Sequence, residues 1–489
     1  MSNGATPTMD QSAARMMGEN AVVRSSINAI VEELKKAQST LTGVRGPIAD
    51  RVASYEQTMS DAAKVRGRGM YYPYIGSGAG HGPLVELADG SVKYDMISGI
   101  GVHFFGHSDP DLVATAIEGA MGDTVMQGNL QMNEEAIRFM TTLVEQASKN
   151  SRLAHAFTCL SGAMANENAL KVCFQKHAPA SRVIAFRDCF MGRTWTMAQL
   201  GDSAAGRVGL PLNVDVDYMP FYDAARAKEL CAGDVSGETR HIDQCVGRLE
   251  EYIARYPKQH ACFVFELIQG EGGFRTAPRA FHAALMDVCK ANDIAVWTDE
   301  VQTFGRTDRM FCFESLELGD YVDVCTVGKM SQVCAALYTD DYNPKPGLLS
   351  GTFLGSTVGL RVGRRIIERL RDGDYYGPDG SNAAHHRLFV EQVRSLATKH
   401  PDWFPPSSSV ADIVDGKGGM MRFTPFGGEK DPVVKLCHTL FDEGVIAFYC
   451  GHDPFHVRML PPLGVMKPEQ WGPVFVVVEK AMAQQAAAL

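Results

Sequence analysis

An α/β fold, with a mostly parallel sheet in a large domain followed by a smaller α+β domain, is what this 489-residue sequence predicts. Three observations predict it. Four short runs, 183–187, 261–268, 294–298 and 322–327, are nearly continuous in apolar residues rather than alternating, the pattern of strands covered by helices on both faces. Between the second and third lies an amphipathic helix, entered through Thr276 and Pro278, with Phe281, Ala284, Leu285, Val288 and Cys289 on one face. The steps from Glu266 to Asp299 and from Asp299 to Lys329 are 33 and 30 residues, each about one strand-connection-strand unit. Right-handed crossovers are the default for such units.

The remaining elements follow in chain order. Residues 1–20 are polar and are expected to be frayed. Val23, Ile27, Ile30, Val31 and Leu34 are spaced as on a helix. The glycines at 76, 78, 80 and 82 do not fit a phosphate-loop pattern and no strand precedes them, so they read as a flexible connection. A small-residue turn, Ser161-Gly162-Ala163, precedes a helix-forming run from Asn166 to Lys176. From about residue 366 the texture changes to a charged helix, a Pro-rich turn at 404–406 and mixed strand and helix. The implied organisation is an N-terminal helical extension with part of the small domain (1–80), a large domain (81–365) and a C-terminal small domain (366–489).

Composition narrows the function. Forty-seven basic against 57 acidic residues leave a net charge of −10, no electrostatic footprint for nucleic acid or an anionic membrane. No apolar run approaches the roughly 20 residues that span a bilayer, and the N-terminus lacks the charged and apolar regions of a secretory signal. The 12 cysteines include no CxxC pair, which favours reduced thiols over a disulfide framework or zinc ribbon. A cytoplasmic enzyme is the expectation.

In open parallel sheets, ligands bind beyond the carboxyl ends of the strands. Those ends here carry Glu266 and Glu271, then Asp299 and Gln302, then Lys329. A lysine leaving an apolar strand is desolvated, which lowers its pKa and favours a nucleophilic amine. A Walker lysine is set aside, because Met330 follows it and Asp323 stands where the first glycine belongs. Taken singly, Lys329 reads more plainly as a surface lysine, and Asp299 as a strand-terminal cap or a magnesium ligand. Together on adjacent strand ends, a carboxylate for a pyridinium nitrogen and a lysine for an aldehyde are what pyridoxal phosphate requires of a protein. Its phosphate needs backbone donors at a helix start, and Ser161-Gly162-Ala163 offers one, although taken alone that turn reads as an ordinary glycine turn capping a helix. A nicotinamide dehydrogenase lacks support for want of a strand-GxGxxG-helix unit.

At these residues the chain resembles the class III aminotransferases, the fold-type-I ω-aminotransferase family. Ser161 to Lys171 is similar to that family's SGxEANExAxK turn, and Phe190-Met191-Gly192-Arg193-Thr194 to its FHGRT. Phe265 to Gly273 resembles VEPIQGEGG, Asp299 to Thr303 matches DEVQT, and Gly328-Lys329 matches the cofactor lysine. Gly351-Thr352-Phe353 and Arg458 to Leu463 resemble the GTF and RxxPPL segments. The similarity runs in order from about residue 85 to 465. It departs at Met164 and Met191, where the family has glutamate and histidine, at Leu267 in place of proline, and in a shorter loop after Thr303.

The resemblance implies pyridoxal 5′-phosphate as cofactor and a role for each matching residue. Lys329 would carry the cofactor's aldehyde carbon and then shuttle the substrate proton. Asp299 would keep the pyridine nitrogen protonated, and Gln302 would bond the phenolic oxygen, with Val301 and Phe190 on the two ring faces. Gly162 and Ala163 would hold the phosphate, with Thr352 reaching that of the neighbouring subunit in a homodimer. Arg193 would bind the distal carboxylate of 2-oxoglutarate and Arg458 the α-carboxylate. Glu271 would pair with Arg458 when an ω-amine enters. The implied reaction moves the terminal amine of a lysine, ornithine, acetylornithine or 4-aminobutyrate type donor to 2-oxoglutarate by a ping-pong mechanism, with no metal. The alternatives are a decarboxylase or aminomutase on the same scaffold, and a cofactor-binding protein without turnover.

Overall fold

The computed structural model describes residues 12–123, 126–231 and 236–487. Its centre is a seven-stranded sheet. In chain order the strands are β1 (Leu153–Cys159), β2 (Arg182–Phe186), β3 (Asp215–Met219), β4 (His260–Phe265), β5 (Ala295–Glu300), β6 (Val324–Val327) and β7 (Cys334–Thr339). Across the sheet they run β1-β7-β6-β5-β4-β2-β3. Five strands from β6 to β3 are mutually parallel, and β7 is antiparallel to both neighbours. The predicted α/β class is therefore the observed one.

The apolar runs have a direct structural cause. Alternate residues of β2, β4 and β5 enter two different cores: Ile184, Phe186, Phe263, Phe265 and Val296 on one face, Val183, Ala185, Cys262, Val264 and Trp297 on the other. Helix α1 (Gly162–Lys176) covers the second face through Leu170, Val172 and Cys173, and α2 (Arg279–Ala291) covers the first through Phe281, Leu285 and Cys289. With both faces dry, neither side of the strand has a use for polar residues.

The chain's two ends build the smaller part together. Strands Gly76–His81, Leu84–Leu87 and Val92–Asp95 form a sheet completed by Val445–Ile446, which pairs parallel to Val92–Asp95. A second, antiparallel sheet joins Val414–Lys417, Met420–Phe423, His456–Met459 and Phe448–Cys450. The glycine-rich stretch expected to be a flexible connection is thus an edge strand. Glycine is required there by close approach: a Cβ on Gly80 would lie 2.6 Å from both the His107 side chain and the Leu84 carbonyl.

Two further expectations change. Ala13–Glu19 is helical rather than frayed, and residues 1–11 lie outside the described residues. Helix α3 (Thr357–Asp372) starts well before the charged stretch at 366, so the division drawn at 365 falls inside one helix. Its buried stripe includes Leu360, Ile366, Ile367 and Leu370, while Arg361, Arg365 and Arg369 pair with Glu118, Asp111 and Asp109 on a neighbouring helix and at its start. Of the twelve cysteines only Cys231 is exposed, and none is in a disulfide. Among the described residues no helix is long and apolar enough to cross a membrane.

Candidate active site

A cavity of about 350 Å³ opens beyond the carboxyl ends of β4, β5 and β6, against the start of α1. Glu266, Asp299 and Lys329 all line it, as do Gly162, Ala163, Phe190, Glu271, Val301 and Gln302. Parallel pairing sets this convergence: Phe265 lies opposite Thr298, and Asp299 opposite Thr326, so the three polar residues leave one sheet edge together.

Lys329 follows β6 through the extended Gly328 and adopts a left-handed backbone, φ 52°. Gln332, three residues on, is also left-handed at φ 61°. Such conformations cost non-glycine residues roughly 1–3 kcal/mol and cluster where a side chain must be aimed. Burial lowers the Lys329 pKa, with the Asp299 and Glu271 carboxylates opposing the shift.

Asp299 is 7 % exposed. Its Oδ1 accepts the Val301 N–H at 2.8 Å, and its Oδ2 accepts Asn166 Nδ2, also at 2.8 Å. Burial raises its pKa, and those two hydrogen bonds and Lys329 pull it back toward the charged form. Glu266 is shifted in the same direction, upward. It accepts the N–H groups of Phe190 (3.0 Å) and Gly270 (3.1 Å), yet burial and the neighbouring Asp299 push it up to about 8.

At the other end of the cavity, Ser161 caps α1, its Oγ accepting the Met164 N–H at 3.2 Å. The remaining N–H groups of that first turn have no partner within the helix, which makes the turn an anion site. Two glycines keep it open. A Cβ on Gly162 would lie 2.8 Å from Val301 Cγ1, and one on Gly192 (φ 124°) would lie 2.5 Å from the Ala163 Cβ.

Glu271 and Arg458 meet at 2.8 Å. Arg458 is fully buried, its guanidinium 5.7 Å from the Phe274 ring centre and 5.4 Å from that of Phe448. Its Nε and Nη1 have no hydrogen-bond partner. Arg193 is exposed outside the cavity, its guanidinium 5.2 Å from the Phe190 ring centre. Thr352 is also exposed and lines a separate cleft with Gly128, Leu130 and Phe353. Of the family departures, Met191 is buried in the cavity lining and Met164 is 43 % exposed on the first turn of α1.

Sequence reasoning missed several lining residues: Asn166, Val102, Thr303, Gln332 and Cys334. Asn166 had a usable signal, standing four residues after Gly162 and so on the same helix face. Val102 follows four consecutive left-handed residues, Ser98 to Gly101, a turn that no local pattern announces.

The donor set fits pyridoxal phosphate. A desolvated lysine faces a buried carboxylate, a helix start is cleared by glycine, and Gln302 offers a buried amide whose Oε1 has no partner in the protein. Among the described residues no cluster suits a metal ion.

A model of the family described as aminotransferase class-III matches residues 65–476. The chain belongs to the class III aminotransferases, and pyridoxal 5′-phosphate is its cofactor. Its relatives include an acetylornithine aminotransferase of Caldanaerobacter subterraneus subsp. tengcongensis, 27 % identical over 406 residues, 80 % of this chain and 90 % of that protein. A 4-aminobutyrate aminotransferase of Mycobacterium tuberculosis is 26 % identical over 465 residues, covering 88 % and 95 %. Among solved structures, a lysine aminotransferase from M. tuberculosis shares the fold with a TM-score of 0.74 at 21 % identity, over 87 % of this chain and 99 % of that one.

Proposed function

We propose that this enzyme moves the terminal amine of an ω-amino or diamino acid, of the lysine, ornithine, acetylornithine or 4-aminobutyrate type, to 2-oxoglutarate. The two half-reactions alternate in a ping-pong cycle at one site. The observation that carries this reading is the Glu271–Arg458 pair at 2.8 Å, in which Arg458 keeps two unspent buried donors. While paired, Arg458 is neutralised and leaves the site to a substrate presenting an amine without an adjacent carboxylate. When Glu271 turns away, the same guanidinium takes an α-carboxylate in a bidentate contact.

The cofactor, when bound, supplies an electrophilic aldehyde carbon and a protonated ring that accepts electrons. Everything else falls to the protein. Asp299, kept toward its charged form by Val301 and Asn166, holds the proton on the ring nitrogen. Gln302 bonds the phenolic oxygen, and Val301 and Phe190 enclose the ring. The N–H groups of Gly162 and Ala163 take the phosphate. The Lys329 amine, its pKa lowered by burial, carries the proton between the substrate Cα and the cofactor C4′. Arg193 holds the distal carboxylate of 2-oxoglutarate, steadied on the Phe190 ring.

A homodimer is part of the proposal. Thr352 lies in a cleft beside Leu130, 94 % exposed, and Phe353, 58 % exposed. An apolar rim of that kind supports a second copy of the chain bringing Thr352 to its neighbour's phosphate.

Visible absorption of the loaded enzyme tests the reading. Lysine, ornithine, acetylornithine or 4-aminobutyrate, added singly, should bleach the yellow band, and 2-oxoglutarate should restore it. Arg193→Ala should slow the restoring step. Bleaching by none of the four would overturn the donor class, and full turnover with 2-oxoglutarate in Arg193→Ala would remove that residue from the site.

A further inference from the structure

On the small-domain side of the Glu271–Arg458 pair lies a second group of buried polar side chains that the proposed chemistry leaves unused. Arg422 stands directly opposite Arg458 on the neighbouring antiparallel strand, so both side chains rise from one face of the sheet. Arg422 is 7 % exposed and Arg458 is fully buried. Like charges directly opposed repel, and each arginine has its own carboxylate: Glu271 for Arg458, and Asp415 at 3.1 Å for Arg422.

Arg422 also donates Nη1 to Thr424 Oγ1 at 2.9 Å, and Thr424 Oγ1 lies 2.7 Å from His456 Nδ1. Arg422 Nη1, which can only donate, also lies 3.5 Å from His456 Nδ1, so that nitrogen is placed to accept. Burial, Arg422 and Arg275 all disfavour a charge on that ring.

These groups converge on the backbone that carries Glu271. The Gly451 N–H donates to the Glu271 carbonyl at 2.9 Å, and Thr276 Oγ1 donates to Asp415 Oδ1 at 2.9 Å. Between the two ties the His456 ring is wedged against glycine, so that a Cβ would approach it to 3.1 Å from Gly273 and 2.9 Å from Gly451. The segment from Glu271 to Thr276 is therefore fastened at both ends and wedged in the middle. The ties through Asp415 and Thr424 lead to Arg422, whereas the Gly451 bond, the bond from the Gln269 N–H to the Arg275 carbonyl and the Arg275–Asp188 pair do not.

We propose that Arg422 is a positioning residue that holds the Glu271–Thr276 backbone on the small-domain sheet, so that only the Glu271 side chain moves when Arg458 is released. The inference rests on the reading of Glu271 as the residue that covers Arg458. A fixed backbone keeps the paired state preorganised. Donors that need Arg458 covered therefore depend on Arg422, and substrates that bind their α-carboxylate to a free Arg458 do not.

The test uses loaded Arg422→Met enzyme and two readouts. Hydrogen exchange should accelerate about tenfold in the peptide spanning 270–276 and at the Gly451 amide. Single-turnover bleaching by 4-aminobutyrate or lysine should slow about tenfold, while bleaching by L-glutamate stays within about threefold of the parent. Unchanged exchange, or an equal loss with both kinds of donor, would overturn the proposal. Thr276→Val, which cuts one tie and leaves every arginine in place, repeats both measurements should Arg422→Met not fold, and Thr276→Ser should restore them. Glu271→Gln separates the two readings. If it fails to shift the ratio of the two donor rates, the covering role of Glu271 is wrong. If it shifts the ratio and Arg422→Met does not, only the role of Arg422 is wrong.

Discussion

One amide, Asn166 Nδ2, lies 2.8 Å from the Asp299 carboxylate and 2.9 Å from the Met191 carbonyl. It ties the first turns of α1 to the end of β5 and to the turn that carries Phe190, three of the cavity's walls at once. Removing it should free the Asp299 carboxylate to rotate and take away a hydrogen bond that favours its charged form. Asn166→Ala should therefore lower kcat by about 10–100-fold, the usual scale for a residue that orients a reacting group, with the fold retained by thermal melting. Asp299→Ala should cost far more; a mild effect there would mean that another carboxylate faces the ring nitrogen.

Lys329 is a separate matter, because in the proposed mechanism it contacts the reacting atoms directly. Lys329→Ala should abolish transamination while cofactor still binds without a covalent link, since the α1 turn, Gln302 and Asp299 remain. The check is an absorbance spectrum after dialysis beside a turnover assay. Normal turnover in this variant would refute the assignment.

Glu266 gives stability a pH dependence whose sign can be worked out. Its pKa rises from 4.5 to about 8 on folding. Between those values the folded chain holds a proton that the unfolded chain has released, so stability falls as pH rises through that window. Glu300, pushed up to about 7 by burial, acts in the same direction. Glu266→Gln should lessen the slope without abolishing it, read as the urea midpoint of cofactor-free protein at about pH 6 and about pH 8.5. An unchanged slope would mean that Glu266 is already ionised in the fold.

The contrast between Glu266 and Asn166 explains what the sequence could and could not show. Strands buried on both faces read as apolar runs, so the first polar residue after each run marks the sheet edge; Glu266, Asp299 and Lys329 were legible for that reason. Asn166 becomes important only by meeting Asp299 across 133 residues of chain, which no local spacing encodes. The edge strand Gly76–His81 was hidden because Gly80 serves close contact with His107 and Leu84 rather than flexibility. The start of α3 was hidden because its arginines, paired to neighbouring carboxylates, mask a buried stripe of leucine and isoleucine. The left-handed turn at 98–101 depends on Asp95, whose Oδ1 accepts the Ile97 and Ser98 N–H groups at 3.1 and 2.7 Å.

Gly192 tests how the phosphate end is built. A Cβ there would sit 2.5 Å from the Ala163 Cβ on a backbone with φ 124°. Gly192→Ala should cost roughly 1–3 kcal/mol of strain and push Ala163 out of place, loosening the cofactor as well. Gly209→Ala is the control: its φ is 78°, but nothing lies within 4 Å. That variant should lose some stability and no cofactor affinity, measured by equilibrium dialysis of pyridoxal phosphate. Equal retention by the two variants would show that the α1 turn does not hold the phosphate.

Thr352 allows the proposed shared site to be tested by complementation. Alone, Lys329→Ala lacks the reacting amine in both sites of a dimer, and Thr352→Ala lacks the hydroxyl in both. If Thr352 serves the neighbouring subunit, a mixed dimer regains one complete site, because intact Lys329 from one chain faces intact Thr352 from the other. Mixing the two inactive proteins under conditions that exchange subunits should then recover roughly a quarter of parental activity, half of the dimers being mixed and each having one working site of two. If Thr352 serves its own chain's site, no mixed dimer holds an undamaged pair and no activity returns. Leu130→Asp, which places a charge in the apolar rim beside Thr352, should prevent the recovery by keeping the chains apart, read by size-exclusion chromatography.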